Sequence, residues 1–553
     1  MRMWLAVLGG WSLGVCAATV PTTAQDFQVP GTRFGEVPVD HARSSSECRA
    51  CHGGYAAHAE PHATWAGSLM ALGGKDPLFY AQLATANQDA AEVGQFCLRC
   101  HVPVAVGNGH VASADGSALT AIDREGVSCH FCHSMVDPIY KPGISPPVDA
   151  AILGALAEVP EHVGNAMFVL DPQDRRRGPR EVASPHATEV SPFHRDSAMC
   201  GTCHDVGNVA TTRRADGSWR YNALDTPADS ANPWLQFPLE RTYTEWKLSS
   251  FAQGGVDLGG RFGGNRGPVV SSCQDCHMPT VAERACAWCE PRQDLAVHSF
   301  AGAAVPSLDL IAAHTAGDPD VQPAHIAAGR ATALSMLLRA ADLELSMAGG
   351  NLVSRVINQS GHKLPTGHIE GRRVWLNLRY YDANGVLIAE HGRYDHASAT
   401  LDESDTMVHE MLVGLSPEAA AATGHPPGLT GHMALADTIE KDTRIPPRGY
   451  QRQAFIDGGA PAVGHDYADG EHWFEARRPL PAGTERIRAT LYYQTLPRSY
   501  IEHLREANIS DHWGDTLHAL WLQTGRGAPI AMTSTQLAMG DHLHRDGFEQ
   551  DPR

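Results

Sequence analysis

Residues 271–300 read SSCQDCHMPTVAERACAWCEPRQDLAVHSF and contain two Cys-x-x-Cys pairs. The first pair is followed by His277, whereas the second, Cys286 and Cys289, is followed by Glu290. The pattern with histidine occurs five times, numbered here motifs one to five: Cys48-Arg-Ala-Cys51-His52, Cys97-Leu-Arg-Cys100-His101, Cys129-His-Phe-Cys132-His133, Cys200-Gly-Thr-Cys203-His204 and Cys273-Gln-Asp-Cys276-His277. Most of the 13 cysteines therefore belong to one repeated pattern.

Cys-x-x-Cys-His is the attachment motif of c-type haem. Two thiols on one tight turn form thioether bonds to one porphyrin, and the next residue places its imidazole under the iron. The sequence therefore predicts five covalently attached haems c, tethered by the motif cysteines. It also predicts His52, His101, His133, His204 and His277 as iron ligands. Five disulfides or zinc sites would each have to precede a histidine by coincidence.

The amino terminus has the pattern of a secretory signal peptide, predicted here over residues 1–24. Arg2 provides the positive charge, an apolar run follows, and small residues near Ala18 and Ala24 suit cleavage. Cys16 allows a lipoprotein anchor as an alternative, but Val15 is larger than the residue expected before a lipidated cysteine. No later stretch is apolar enough to span a bilayer, so a periplasmic or extracellular protein without a transmembrane segment is expected. That compartment also permits disulfides.

The formal net charge is −19, and haem propionates would make the protein more acidic still. Nucleic acids and anionic membranes are therefore poor partners. We expect redox partner proteins with a basic surface.

The fold class predicted from the sequence is α+β. An irregular, mainly helical multihaem cytochrome c domain over residues 25–341 precedes a β-sandwich-like domain over residues 342–553. The helical period of residues 324–341 predicts a bridging helix. A period of two follows it: Leu343, Leu345 and Met347; Val374, Leu376, Leu378 and Tyr380; Val386 and Ile388; Ile487, Ala489, Leu491 and Tyr493. Asn384-Gly385 predicts a hairpin between two of these runs, and residues 402–470 are expected to form an irregular excursion.

A haem iron has a second axial position, and its occupant separates electron transfer from catalysis. The candidate ligands from their local context are His186, His194, His298, His362 and the thioether of Met70. For each of them, a surface or hydrogen-bonded role is the alternative.

One segment recurs within the first part of the chain. Trp65-Ala-Gly-Ser68-Leu-Met70-Ala71 matches Trp246-Lys-Leu-Ser249-Ser-Phe251-Ala252 at tryptophan, serine and alanine. The echo predicts one haem-packing helical unit used twice; two unrelated amphipathic helices are the alternative. Phe251 cannot bind iron, so that copy needs a histidine from elsewhere or leaves an iron open.

Several segments together carry a family resemblance. They are the Trp-x-x-Ser-x-Met-Ala helix, the motifs, His298-Ser-Phe-Ala-Gly302, Gly361-His-Lys-Leu-Pro-Thr-Gly367 and Asp442-Thr-Arg-Ile-Pro-Pro-Arg-Gly449. The chain resembles bacterial multihaem c-type cytochromes, including the group with a cytochrome c554-like haem region. Related proteins often carry histidine where Met70 stands, which implies a ligand role for Met70.

Two features leave alternatives open. Cys286 and Cys289 are expected to form a disulfide that pins the segment delivering His298; a sixth haem and a redox-active dithiol or metal site are the alternatives. The basic run Arg175-Arg-Arg177-Gly-Pro-Arg180 is expected either to pair with haem propionates or to form a solvated loop.

The leading hypothesis is an exported electron carrier that uses five haems in a respiratory or extracellular electron-transfer chain. A multihaem oxidoreductase acting on a small nitrogen or sulfur compound at a five-coordinate haem is the alternative. A subunit of an extracellular cytochrome complex or filament is compatible with the first. No catalytic residue is assigned.

Overall fold

The structure is a computed structural model that describes residues 18–37, 42–181 and 184–541. The predicted signal peptide therefore lies outside the described residues except at its end, and Cys16 lies wholly outside them. From Val20 onward the chain contacts the folded body, where the Val20 backbone N–H donates to the Asp89 carbonyl at 2.8 Å. Within the described ranges, no helix combines the length and apolarity needed to cross a membrane.

Short helices and strand pairs alternate through the first part of the chain. The helices are α1 (Ser45–His52), α2 (Pro61–Ala66), α3 (Pro77–Asp89), α4 (Val93–His101), α5 (Val104–Asn108), α6 (Cys129–Cys132), α7 (Pro147–Gly154), α8 (Ser197–Gly201), α9 (Thr242–Lys247), α10 (Cys273–His277), α11 (Val305–His314) and α12 (Pro323–Leu337). The strands are β1 (Met135–Val136), β2 (Val169–Leu170), β3 (Arg176–Gly178), β4 (Thr188–Val190), β5 (Val206–Asn208), β6 (Thr211–Arg213), β7 (Trp219–Tyr221), β8 (Phe237–Glu240), β9 (Val256–Asp257), β10 (Val269–Val270), β11 (Thr280–Glu283) and β12 (Arg292–Ala296). These strands pair only two by two, so this region is more mixed than the mainly helical one expected.

Every motif lies on a short helix or at its end. The motifs belong to α1, α4, α6, α8 and α10, in chain order. Residues three apart on a helix share one face, so both cysteines of a motif face the same side. Side-chain oxygens of Ser44, Ser128, Asp196 and Ser272 accept backbone N–H groups at the starts of four of these helices. Such N-caps explain why helices this short begin where they do.

Longer strands dominate the second part of the chain. The strands are β13 (Ala341–Ala348), β14 (Asn351–Asn358), β15 (Arg373–Tyr381), β16 (Leu387–His391), β17 (Tyr394–Asp395), β18 (Thr400–Leu401), β19 (Val408–His409), β20 (Met411–Leu415), β21 (Gly428–Leu429), β22 (Thr438–Asp442), β23 (Trp473–Pro479), β24 (Arg486–Gln494) and β25 (Ile530–Ala538). The helices are α13 (Pro417–Thr423), α14 (Arg452–Asp457), α15 (Arg498–Ala507) and α16 (Trp513–Gln523).

Two antiparallel sheets face each other in this part. One has the order β13-β14-β23; the other has β16-β15-β24-β25, with β19 pairing to β15. Leu352 and Val356 of the first sheet share a buried core with Leu378, Ile487 and Leu491 of the second. The alternation along β24 places Ile487, Ala489, Leu491 and Tyr493 inward, and each is at most 2% exposed. These pairings explain the period of two.

The predicted hairpin at Asn384-Gly385 is present, joining β15 to β16, and Gly385 adopts a positive φ of 77°. Val386 and Ile388 are exposed rather than buried, because Val386 directly precedes the edge strand β16 and Ile388 lies within it. The bridging helix ends earlier than predicted. It ends at Leu337, because Ala341 already forms the first pair of the ladder between β13 and β14.

The stretch 402–470 is not irregular, in contrast to the prediction. It contains a three-stranded sheet of order β21-β20-β22, together with α13 and α14. Leu415 and Ala419 pack with Phe27 and Ala86, so this stretch contacts the first part of the chain. The helices α15 and α16 were not predicted and pack against α3.

Candidate haem-binding site

The motif thiols differ from the pair that lacks a histidine. The ten motif cysteines are free and half-buried, whereas Cys286 and Cys289 form a disulfide. Burial raises the pKa of the Cys97, Cys132 and Cys276 thiols to about 12. The structure therefore leaves two thiols at every motif available for thioether attachment and agrees with the predicted disulfide between Cys286 and Cys289.

The motif histidines are oriented through one ring nitrogen. Nδ1 is hydrogen-bonded in four of them: His52 to Ala285 O at 2.8 Å, His133 to Arg177 O at 2.6 Å, His204 to Glu240 Oε1 at 2.9 Å and His277 to Ala301 O at 2.7 Å. Metal-binding histidines have this arrangement, because a bonded Nδ1 fixes the ring and leaves Nε2 for the metal. Burial also lowers the pKa of His277 to about 4, which keeps its imidazole in the neutral, metal-binding form at pH 7.

His101 is held by stacking instead. Its ring lies on that of Phe79, with ring centres 3.9 Å apart and planes 12° from parallel. Burial lowers the pKa of His101 to about 4.

A second imidazole stands near motif three and another near motif five. The ring centre of His298 is 6.4 Å from that of His133, and the ring centre of His362 is 6.4 Å from that of His277. Two imidazoles that bind one metal ion from opposite sides have ring centres about 6 Å apart, because each metal–nitrogen bond is about 2 Å long. The residues present thus fit an iron between each pair.

His362 is positioned by a buried network of charges. The neighbouring Lys363 donates from Nζ to Asp442 Oδ2 at 2.7 Å, and Arg444 pairs with the same carboxylate at 2.7 Å. The backbone N–H of Lys363 donates to Glu245 on α9 at 3.0 Å. The two segments of the sequence resemblance, around His362 and Asp442, are therefore joined in space.

The tryptophan echo is a structural repeat. The Trp65 indole donates to the carbonyl of Val127 at 2.8 Å, and the Trp246 indole donates to that of Ser271 at 2.7 Å. Val127 lies two residues before the first cysteine of motif three, and Ser271 lies two residues before the first cysteine of motif five. Each tryptophan therefore braces the start of one motif helix.

The repeat extends to the preceding motifs. The Cys129 N–H donates to Ser45 Oγ at 3.4 Å, and the Cys273 N–H donates to Ser197 Oγ at 3.0 Å. The thiol of Cys48 contacts that of Cys129, and the thiol of Cys200 contacts that of Cys273. Motifs one and three thus pack as motifs four and five do, which favours one unit used twice.

Contacts between motifs also connect the two units. The thiols of Cys100 and Cys203 are in contact, which places motif two beside motif four. His194, just before α8, donates from Nε2 to the carbonyl of Cys132 at 2.8 Å and so joins motif three to motif four. Every motif therefore contacts another, and motif four is the junction of two, three and five.

The structure places the remaining predicted ligands as follows. The backbone carbonyl of Met70 accepts a hydrogen bond from the Val127 N–H at 2.8 Å. Phe251 lies at the corresponding point of the second copy, where its carbonyl accepts from Ser271 Oγ at 2.9 Å. The ring centre of His194 is 5.6 Å from that of His133, so His194 lies beside motif three, although it precedes motif four in the chain. His186 is exposed.

His368 was missed by the sequence analysis. Burial, together with the charges of Arg372 and His101, lowers the pKa of His368 to about 4. Its Nε2 lies 3.3 Å from the hydroxyl of Tyr500. The signal was present in the sequence, because His368 directly follows the Gly361–Gly367 segment already singled out.

The basic run pairs with protein carboxylates and includes strand β3, so it is not a solvated loop, and its pairing with haem propionates stays a prediction. Arg177 is buried and pairs with Asp149 and Asp171, each at 2.7 Å. The other arginines of the run also pair with acidic side chains: Arg175 with Asp171, Arg176 with Asp174 and Arg180 with Asp294. The carbonyl of Arg177 holds His133, so the run supports motif three through its backbone.

The disulfide lies in the loop between β11 and β12 and packs on motif one. The Ala287 N–H donates to the Cys51 carbonyl at 2.8 Å, and Ala285 accepts from His52. The strand β12 then leads directly to His298. The loop therefore lies between motif one and the predicted ligand of motif three.

Matched substitutions in the two tryptophan copies test the repeat. Trp65→Phe and Trp246→Phe each remove one indole donor, and we expect each to lower the free energy of unfolding by about 1–3 kcal/mol. Low-temperature EPR should show a changed haem environment near motif three for Trp65→Phe and near motif five for Trp246→Phe. Trp288→Phe is the control, because Trp288 is 66% exposed and its loss should change stability by less than about 0.5 kcal/mol. Identical changes in all three variants would contradict the repeat.

The chain was compared with known proteins. No protein-family model and no curated protein matches it. The structure is similar to the crystal structure of a penta-heme cytochrome c552 from Thermochromatium tepidum, with a TM-score of 0.45 and 18% sequence identity, over 91% of this chain and 100% of that chain.

Proposed function

We propose that the chain is an exported multihaem c-type cytochrome that carries electrons through five covalently attached haems c. The observation that carries the proposal is the pair of imidazole couples at motifs three and five, each with ring centres 6.4 Å apart. Two imidazoles on one iron give a six-coordinate centre suited to electron transfer rather than to substrate binding. A respiratory or extracellular electron-transfer chain is the setting that this role fits.

The chain's own residues would hold the cofactors as follows. The ten motif thiols tether the porphyrins, and His52, His101, His133, His204 and His277 supply one iron ligand each. His298 and His362 are proposed as second ligands for motifs three and five. Haem c supplies reversible one-electron chemistry, with a potential that depends on axial ligands and burial. The contacts between motifs support close spacing of all five cofactors.

The alternative of an oxidoreductase with an open iron loses its main argument. That hypothesis rested on Phe251, which cannot bind iron at the second copy of the echo. Gly361, next to His362, packs against Phe251 and Trp246, where an added Cβ would lie 3.3 Å from each. His362 therefore follows directly after a residue that packs on Phe251, and we propose that its imidazole supplies the ligand that Phe251 cannot. Redox partners with a basic surface, and a cytochrome complex or filament, remain part of the proposal.

The test uses the matured holoprotein after export. We expect a Soret band, an intact mass with five haem additions, an oxidised EPR spectrum dominated by low-spin signals, and less than stoichiometric carbon monoxide binding after reduction. A strong high-spin signal with stoichiometric carbon monoxide uptake would support the oxidoreductase instead. A colourless protein would overturn both hypotheses.

A further inference from the structure

A cluster of histidines with one aspartate lies where three separate segments meet. Asp89 is the last residue of α3, His425 and His432 lie in the segment between α13 and β22, and His503 is on α15. None of them belongs to a haem motif, and none is a ligand proposed above. The cluster therefore needs an explanation of its own.

The side chains converge closely. His432 Nδ1 lies 2.8 Å from Asp89 Oδ1, and the ring centres of His425 and His432 are 4.1 Å apart. One ligand atom from each of Asp89, His425 and His432 fits within a group no wider than 4.8 Å. His503 stands beside them, with its ring centre 5.2 Å from that of His432.

Two buried polar atoms in this cluster have no hydrogen-bond partner among the described residues. They are Oδ2 of Asp89, a residue only 5% exposed, and Nε2 of His503. Such atoms are rare in folded proteins, because burial without a partner is costly. A bound cation would satisfy the carboxylate oxygen.

The packing around the cluster is specific. An added Cβ at Gly431 would lie 2.4 Å from His503 Nε2, so the imidazole fits there only against glycine. Asp89 also lies at the carboxyl end of α3, a helix of 13 residues, where the helix dipole favours positive charge. The end of α3 therefore favours a cation beside Asp89.

We propose that Asp89, His425 and His432 bind a divalent transition-metal ion, with His503 as an adjacent fourth ligand. Imidazole nitrogen with one carboxylate is a donor set suited to zinc, copper, nickel or iron, whereas magnesium and calcium prefer oxygen alone. The site joins α3 to the segment between α13 and β22. It is independent of haem attachment and goes beyond the proposed electron-transfer function.

The experiment adds Zn²⁺ to the purified holoprotein, removes the excess by desalting, and measures zinc by mass spectrometry with haem iron as internal standard. Calorimetry gives the affinity. We expect one tightly held zinc ion per chain. His425→Gln should weaken binding by at least about 10-fold, since a lost metal ligand costs no less than a lost outer-shell partner. Asp89→Asn should weaken it similarly.

The control is His396→Gln, an exposed histidine outside the cluster, which should leave the zinc affinity unchanged. Among the described residues, the side chain of His425 makes no hydrogen bond and only its backbone N–H donates, to Thr423 Oγ1, so its replacement should preserve the fold, and an unaltered Soret spectrum checks this. No tight zinc binding by the wild-type protein would overturn the proposal. Equal affinities for wild type and His425→Gln would overturn it as well.

Discussion

Replacing His362 by alanine is expected to open one iron while every covalent attachment remains. His277 stays in place, so the haem keeps its motif ligand but loses the imidazole 6.4 Å away. A five-coordinate iron is high-spin and binds carbon monoxide after reduction. We therefore expect a new high-spin EPR signal and an additional carbon monoxide uptake of about one molecule per chain.

His298→Ala is the matched variant, because His298 has the same ring separation from His133. It should open one iron at motif three in the same way. His396→Ala, an exposed histidine, should change neither signal. If His362→Ala kept a wholly low-spin spectrum and bound no further carbon monoxide, His362 would not be an iron ligand.

Asp442→Asn is expected to cause the largest loss of stability. Its carboxylate pairs with Lys363 and Arg444, and the three side chains are between 0% and 4% exposed. Burial alone would raise the pKa of Asp442, but the charges of Arg444 and Lys363 outweigh burial and lower it. Removing one partner of a buried ion pair leaves an uncompensated charge and costs about 3–5 kcal/mol. Guanidinium unfolding followed by circular dichroism measures this cost.

Asp466→Asn is the control for this substitution. Asp466 also pairs with an arginine, Arg452, but its side chain is 89% exposed. Exposed ion pairs contribute about 0–1 kcal/mol, so this variant should unfold almost as the wild type does. Similar losses in both variants would show that the buried network does not stabilise the segment carrying His362.

Local features of the fold and site could be predicted from the sequence. The spacing of each Cys-x-x-Cys-His motif sets which side chains share a helical turn, and the alternation in residues 486–494 and the Asn384-Gly385 turn follow from neighbouring residues. The residues that face the motif histidines could not be assigned from the sequence. His298 and His362 could be named as candidates, but their assignment to motifs three and five depends on chain segments that meet only in the folded protein.

The errors have more than one physical cause. Arg175, Arg176 and Arg177 pair with Asp171 and Asp174 a few residues away, whereas Asp149 and Asp294 are distant in the chain, so the sequence did not show how many carboxylates surround the run. The stretch 402–470 was expected to be irregular because its strands are short and their partners are distant. The helix α15 is a different case. Its buried residues Tyr500, Ile501 and Leu504 have helical spacing, so its amphipathic pattern was available in the sequence.

The contacts between thiols of different motifs constrain the order of maturation. Cys48 touches Cys129, Cys100 touches Cys203 and Cys200 touches Cys273. In an oxidising compartment, a chain that became compact with these sulfurs unprotected would cross-link one motif to another. Haem attachment before the chain becomes compact would prevent such cross-links, because a thioether sulfur cannot form a disulfide.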